Sequence, residues 1–269
     1  SPGGRLIRIR AQIAALIAIS ILSVACHHGP RRALAPVVDP QFVHLTKEQG
    51  FAKAEDWFAK KRWQRARQYY QYVYETFPSD PLGRRALLRI ADTYYEQGDA
   101  VNLVEAQYKY RDFINRYPGS DRADYAMLQI GMVSYKQMER PDRDQAKTRE
   151  TVEKLNDMIR AFPRSPLRPD AEKRLADALD RLGKHEHIIA RYYIKRHSYL
   201  AATQRLNYLV DTYPQYSDRA GAFYDLANAL ELMGRGAEAR LYYERVVTEF
   251  PKSDYASRAK KRLDSSTKA

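Results

Sequence analysis

The sequence predicts an all-α fold, a solenoid of five helix pairs closed by a C-terminal capping helix. Two observations carry this expectation. An aromatic–proline pair ends a helical segment five times, at Phe77-Pro78, Tyr117-Pro118, Phe162-Pro163, Tyr213-Pro214 and Phe250-Pro251. Small residues recur twelve positions apart in register with those prolines: Ala54, Ala66 and Pro78; Ala190, Ala202 and Pro214; Ala227, Ala239 and Pro251. Proline has no N–H and clashes with the turn behind it, so each pair stops a helix. A recurring stop beside recurring small residues marks stacked units that bury their apolar faces against one another.

The N-terminal segment reads as an export signal. Arg5, Arg8 and Arg10 precede an uncharged run from Ala11 to Ala25 that ends in Leu22, Ser23, Val24, Ala25 and Cys26. A basic n-region before a short apolar h-region is a signal peptide, and a convincing membrane span wants about 20 apolar residues. The end of the run resembles a bacterial lipobox, with Ser23 where leucine is preferred. Residues 1–25 are therefore expected to be a lipoprotein signal peptide. Cys26, the one cysteine of the chain, is expected to carry a covalent lipid, with no other cofactor. His27 follows it where the inner-membrane retention signal would place aspartate, so the expected location is the periplasmic face of the outer membrane. Residues 26–45, broken by Pro30, Pro36 and Pro40, read as a flexible lipidated tether.

From residue 46 the repeats begin. After each aromatic–proline pair a serine or aspartate can cap the next helix: Ser79 or Asp80, Ser120 or Asp121, Ser165, Ser217 or Asp218, Ser253 or Asp254. The spacing matches the tetratricopeptide pattern, in which small residues let two antiparallel helices approach closely. Trp57 and Tyr70, Tyr193 and Leu206, and Leu230 and Tyr243 are expected to fill the matching holes, and Gly98 and Gly234 to occupy turns within a pair. Repeat 2 keeps Ala91, Gly98, Ala106 and Pro118 with three extra residues between Gly98 and Ala106. Repeat 3 has Gly131 and Thr151 for the alanines, and a longer turn from Glu139 to Asp144. A continuous pattern from about Arg168 to Arg196, interrupted at Gly183, predicts a long helix dividing the array. The expected halves are residues 46–166, repeats 1–3, and residues 167–265, repeats 4–5 and the cap. Residues 266–269 are expected to be a disordered tail.

Composition narrows the function. The 269 residues carry a formal charge of +13, and removing residues 1–25, with three arginines and no acid, leaves +10. Export argues against nucleic acid as the partner of that charge, and the bases are interspersed with acids along solvated helix faces. Twenty-one tyrosines against eight phenylalanines suit a groove that is both apolar and wet. No catalytic constellation emerges, so the chain is not expected to be an enzyme. His185, Glu186 and His187 lack metal-site spacing and read as solvent-facing or lightly packed. Asp56, Asp92, Asp177 and Asp225 stand among basic neighbours with nothing pairing them for acid–base work. Function is expected at surfaces instead, with Tyr95, Arg84 and Arg89 as the candidates for binding a partner in the first half.

The stretch His185–Arg205, together with Pro169–Leu175, Glu186, Tyr192 and Tyr193, resembles the BamD family of outer-membrane β-barrel assembly lipoproteins, and the likeness runs from the signal peptide to about Leu263. The resemblance implies a periplasmic lipoprotein that joins BamA, through a periplasmic POTRA domain, and recognises C-terminal segments of unfolded barrel precursors. It implies substrate recognition in the first half and BamA docking in the second, where Arg205 matches a family arginine. Other assembly-machine lipoproteins are further implied partners. The alternatives are another repeat lipoprotein scaffold of the cell envelope, such as a secretin pilotin, or a division or Tol-Pal coordinator. The segment 169–205 and the proline-broken tether argue against both.

Overall fold

The computed structural model describes residue 42 and residues 44–266. Cys26 and the signal segment lie outside the described residues, as do residues 267–269. Eleven helices among the described residues follow one another: α1 Lys47–Ala59, α2 Trp63–Thr76, α3 Pro81–Gln97, α4 Ala100–Arg116, α5 Ala123–Lys136, α6 Ala146–Ala161, α7 Arg168–Lys195, α8 Tyr199–Thr212, α9 Arg219–Leu232, α10 Gly236–Glu249 and α11 Asp254–Ser266. Each packs on the next, and α1 on α3, α5 on α7, α7 on α9 and α9 on α11 also touch. This is the contact pattern of five stacked helix pairs and a terminal cap.

The small residues sit where the helices cross. Ala54, Ala66, Ala91, Ala106, Ala190, Ala202 and Ala227 have no exposed surface, and Ala239 is 2% exposed. Tyr70, Leu206, Leu230 and Tyr243 are buried beside them. Trp57 packs on this core from its edge: it is half-buried, with Lys60 and Arg65 over its outer side at 5.3 and 4.9 Å from the ring centre. Tyr193 is half-buried as well.

The five aromatic residues before proline share one conformation. Phe77, Tyr117, Phe162, Tyr213 and Phe250 have φ of −130°, −132°, −127°, −120° and −130° and ψ between 51° and 65°, each donating its N–H to the carbonyl four residues back. The following proline pushes its predecessor out of the helical region, and the helix ends there. The expected caps divide. Asp80 and Asp218 accept from Leu82 N and Gly221 N and cap α3 and α9. Ser120 and Ser165 accept from Arg122 N and Leu167 N, and so close the turns before α5 and α7 without capping them.

The turns inside the pairs hold a further difference. Gly98 and Gly234 adopt φ of +76° and +77°, but repeats 1 and 4 place Lys61 and His197 in the left-handed region at +56° and +57°. A side chain there costs about 1–2 kcal/mol, partly offset by the extra unfolded-state entropy of glycine. Lys61→Gly and His197→Gly should each stabilise the fold by about 0.5–1 kcal/mol in denaturant melts. A loss of stability in both would contradict the strain.

The predicted long helix is α7, 28 residues without interruption. Gly183 is needed there for close approach, because a Cβ would stand 2.9 Å from Tyr216 Cδ2. The N-terminal part of α7 contributes Ala171 to a core with Leu128, Leu155 and Met158. Its C-terminal part contributes Leu182 and Ala190 to the core built from α8–α11.

Candidate protein-binding site

Helices α1, α3 and α5 are the first helices of their pairs, and together they frame an open groove of about 660 Å³. Glu55, Arg84, Arg85, Arg89, Asp92, Arg122 and Tyr125 line it. At its floor, Asp92 is 5% exposed and accepts hydrogen bonds from Tyr110 Oη (2.7 Å), Tyr125 Oη (3.0 Å) and Arg89 Nη1 (3.0 Å). Burial pushes the Asp92 carboxyl above its ordinary range, against the pull of those donors. Arg89 also donates to both carboxylate oxygens of Glu55, at 2.9 and 2.8 Å. Burial works to raise Glu55, but the bonds from Arg89 outweigh it and hold its carboxyl low. Arg89 lies 3.7 Å from the centre of the Phe58 ring.

Arg89 is thus committed to the fold, clamped between two carboxylates and a ring. The sequence marks it as a ligand contact, but its donors already have partners. Arg84, Arg85 and Arg122 differ. They rest over the rings of Tyr117, Phe51 and Tyr125 at 5.9, 5.1 and 4.7 Å, and although Asp80, Glu55 and Asp121 stand nearby, none of the three arginines makes an ion pair within 4.0 Å among the described residues. Three guanidiniums propped on aromatic faces leave their donors for an incoming anion. Arg85 and Arg122 escaped the sequence reading, because nothing local signals that a turn after Tyr117 faces α3.

Tyr95 does not join this groove. It is half-buried, with Lys136 Nζ 4.5 Å from its ring centre and donating to its backbone carbonyl at 2.9 Å. The expectation that Tyr95 stands with Arg84 and Arg89 at one surface is corrected in this respect. Tyr95 is six residues from Arg89 and so points to a different side of the helix, and it is eleven residues, about 16 Å along the axis, from Arg84.

In the second half, His187 overturns the expectation of a solvent-facing histidine. It is 1% exposed, with Nδ1 3.1 Å from Tyr216 Oη and Nε2 2.9 Å from Asp225 Oδ2. Arg191 Nε donates to the same Asp225 oxygen at 2.7 Å and Arg191 Nη2 to Tyr255 Oη at 3.0 Å. Glu186, 9% exposed, accepts from Arg205 Nη1 at 3.0 Å. Arg205 therefore flanks the packing face and is bridged within its own repeat, to Glu186. Its side chain remains 44% exposed.

Among the described residues, no cluster of three or more His, Cys, Asp or Glu side chains is placed to hold a metal, and no helix is long and apolar enough to cross a membrane. The molecule is a paired-helix solenoid with a groove rich in arginine. The YfiO family, described as outer membrane lipoprotein, matches residues 44–244. The chain belongs to this family of outer-membrane lipoproteins. It is 28% identical over 225 residues to the outer membrane protein assembly factor BamD of Neisseria gonorrhoeae, covering 79% of this chain and 82% of that protein. The BamD of Caulobacter vibrioides is 26% identical, covering 84% and 71%, and that of Haemophilus influenzae 23% identical, covering 84% and 85%. Among solved structures, the TPR2AB domain of yeast Sti1 in a pHSP90 complex matches at a TM-score of 0.44 and 15% identity, covering 81% of each chain.

Proposed function

We propose that the chain is a non-enzymatic periplasmic lipoprotein of outer-membrane β-barrel assembly, held to the membrane by a lipid on Cys26. Its relatives carry the name of assembly factor, and the lipobox-like approach to Cys26 supplies the anchor. Residues 46–166 receive the C-terminal segment of an unfolded barrel precursor, and residues 167–265 dock a POTRA domain of BamA. The observation that carries the first assignment is the trio Arg84, Arg85 and Arg122, stacked on rings with no close ion pair among the described residues. A peptide's terminal carboxylate fits such a fork-shaped donor set. Arg205 supports the second, since its guanidinium is half-exposed beside Glu186 and can be shared with a partner carboxylate.

The test uses the acylated chain extracted from membranes, whose N-terminal peptide should begin at Cys26 with the added acyl mass. A barrel-derived C-terminal peptide should bind as the free acid, and about tenfold more weakly as the amide or to Arg84→Ala/Arg122→Ala. POTRA binding should survive those changes and fall with Arg205→Ala. Equal affinity for acid and amide peptides sinks the groove assignment. Parallel loss of both ligands sinks the division into two surfaces.

A further inference from the structure

The second helix of repeat 2 carries a feature that the groove on the other face does not use. α4 begins six residues before its crossing residue Ala106, whereas α2, α8 and α10 begin three before Ala66, Ala202 and Ala239. The three extra residues of repeat 2 thus become an added first turn. That turn and the next expose Val101, Val104 and Tyr108, at 73%, 64% and 61%. Spacings of three, four and seven put Val104, Tyr108, Arg111 and Asn115 on one side of the helix. This side runs into a second cavity of about 320 Å³ between α4, α5 and α6, with Ile130 at its floor, Ile114 and Met127 as half-buried walls, and Arg111 and Lys154 at its rim. Gln107 Nε2 donates to Glu150 Oε1 at 3.2 Å and ties α4 to α6 beside it. Valine side chains left in water on a helix that has been lengthened to hold them are apolar area without a partner in this chain.

Charge tells what covers it. Of the ionised side chains around the cavity, Asp157 is paired with Arg160 and Lys154 with Glu153. Arg111 has no carboxylate partner among the described residues. The unopposed charge at the rim is positive. Methionine in the wall adapts to anchors of different shape. We propose that this outer face of repeats 2 and 3 is a docking site for a short amphipathic segment of a partner protein, with an aliphatic or aromatic anchor in the Ile114–Met127–Ile130 cavity and an acidic side chain on Arg111. Val104 and Tyr108 cover the remainder of the segment. The site is independent of client and POTRA binding, so its failure leaves those tests untouched.

The experiment places the photocrosslinker p-benzoylphenylalanine at Tyr108, and separately at Met127, in the full-length chain in its own membrane. The crosslinked peptide is then sequenced by mass spectrometry. The expected adduct joins both positions to one segment of another protein, with an acid within about one helical turn of an apolar anchor. Its yield falls at least about fivefold in Arg111→Glu and is retained in Arg111→Lys. Arg111 is exposed, so thermal unfolding of Arg111→Glu should match the parent, and a synthetic copy of the segment should compete for the adduct. An adduct to lipid, to a second copy of this chain or to a basic or uncharged segment overturns the proposal. So does the absence of an adduct at both positions, or an unchanged yield in Arg111→Glu.

Discussion

Gly83→Ala should be the most damaging single-methyl change in the first three repeats, costing about 3 kcal/mol or more in denaturant unfolding. A Cβ at this position would stand 1.9 Å from the Phe77 carbonyl oxygen and 2.8 Å from its carbon, both backbone atoms. The carbonyl cannot swing aside, because it accepts the Asp80 N–H at 3.1 Å in the turn that precedes α3. Asp80 caps α3 and Pro81 opens it, four residues after Phe77. Repeat 3 has Ala123 six residues after Tyr117 and tolerates its methyl. Gly131→Ala is the control: its nearest obstacle is Leu155 Cδ2 at 2.6 Å, the end of a side chain that can rotate. A loss for Gly83→Ala no greater than for Gly131→Ala would contradict the close approach.

The second large effect is expected at Asp225. Asp225→Ala strips the shared acceptor from His187 Nε2 and Arg191 Nε, leaving the buried imidazole with Tyr216 on its other nitrogen and Arg191 with Tyr255 and a longer contact to Asp218. Breaking such a pair from one side costs about 3 kcal/mol, where an exposed ion pair would be worth less than about 1. Burial acts to raise the Asp225 carboxyl, but the bonds from His187 and Arg191 prevail and hold it below its ordinary value. A depressed carboxylate stabilises the fold fully above its unfolded value, near about 3.9, and loses that contribution as pH falls through the lower folded value. The stability gap between the parent and Asp225→Asn should therefore shrink as pH falls below about 4. A gap that widens below about pH 4 would mean that the carboxyl is held high.

The repeat register was legible because it depends on residue size at fixed spacing. Small residues fit where two helices cross, and Ala54, Ala66 and Pro78 report such a crossing without any knowledge of what lies opposite. The aromatic–proline stops were legible for the same reason, since proline dictates the conformation of its own neighbour. Contacts between distant residues were not. His187 meets Tyr216 and Asp225 from 29 and 38 positions away, and no local pattern distinguishes it from His185. Lys61 and His197 hide a turn that glycine would have announced. Arg84 and Arg89 have the same residue type and lie on one helix, yet one is left without a close ion pair and the other clamped. What separates them is Glu55 on a neighbouring helix, and its partner choice becomes visible only once α1 and α3 are packed.

The unbroken length of α7 has a mechanical meaning. At 1.5 Å per residue its 28 residues make a rod of about 42 Å, embedded at one end in the core of repeat 3 and at the other in that of repeats 4 and 5. A rod so clamped behaves as a lever. If the packing around Ala171 tilts it by about 5°, the end near Lys195 sweeps through roughly 3 Å, far more than side chains in a close-packed core can absorb. A ligand wedging the front repeats apart would thus be felt as displacement at the back, and a partner that grips the back would stiffen the front against the same wedge.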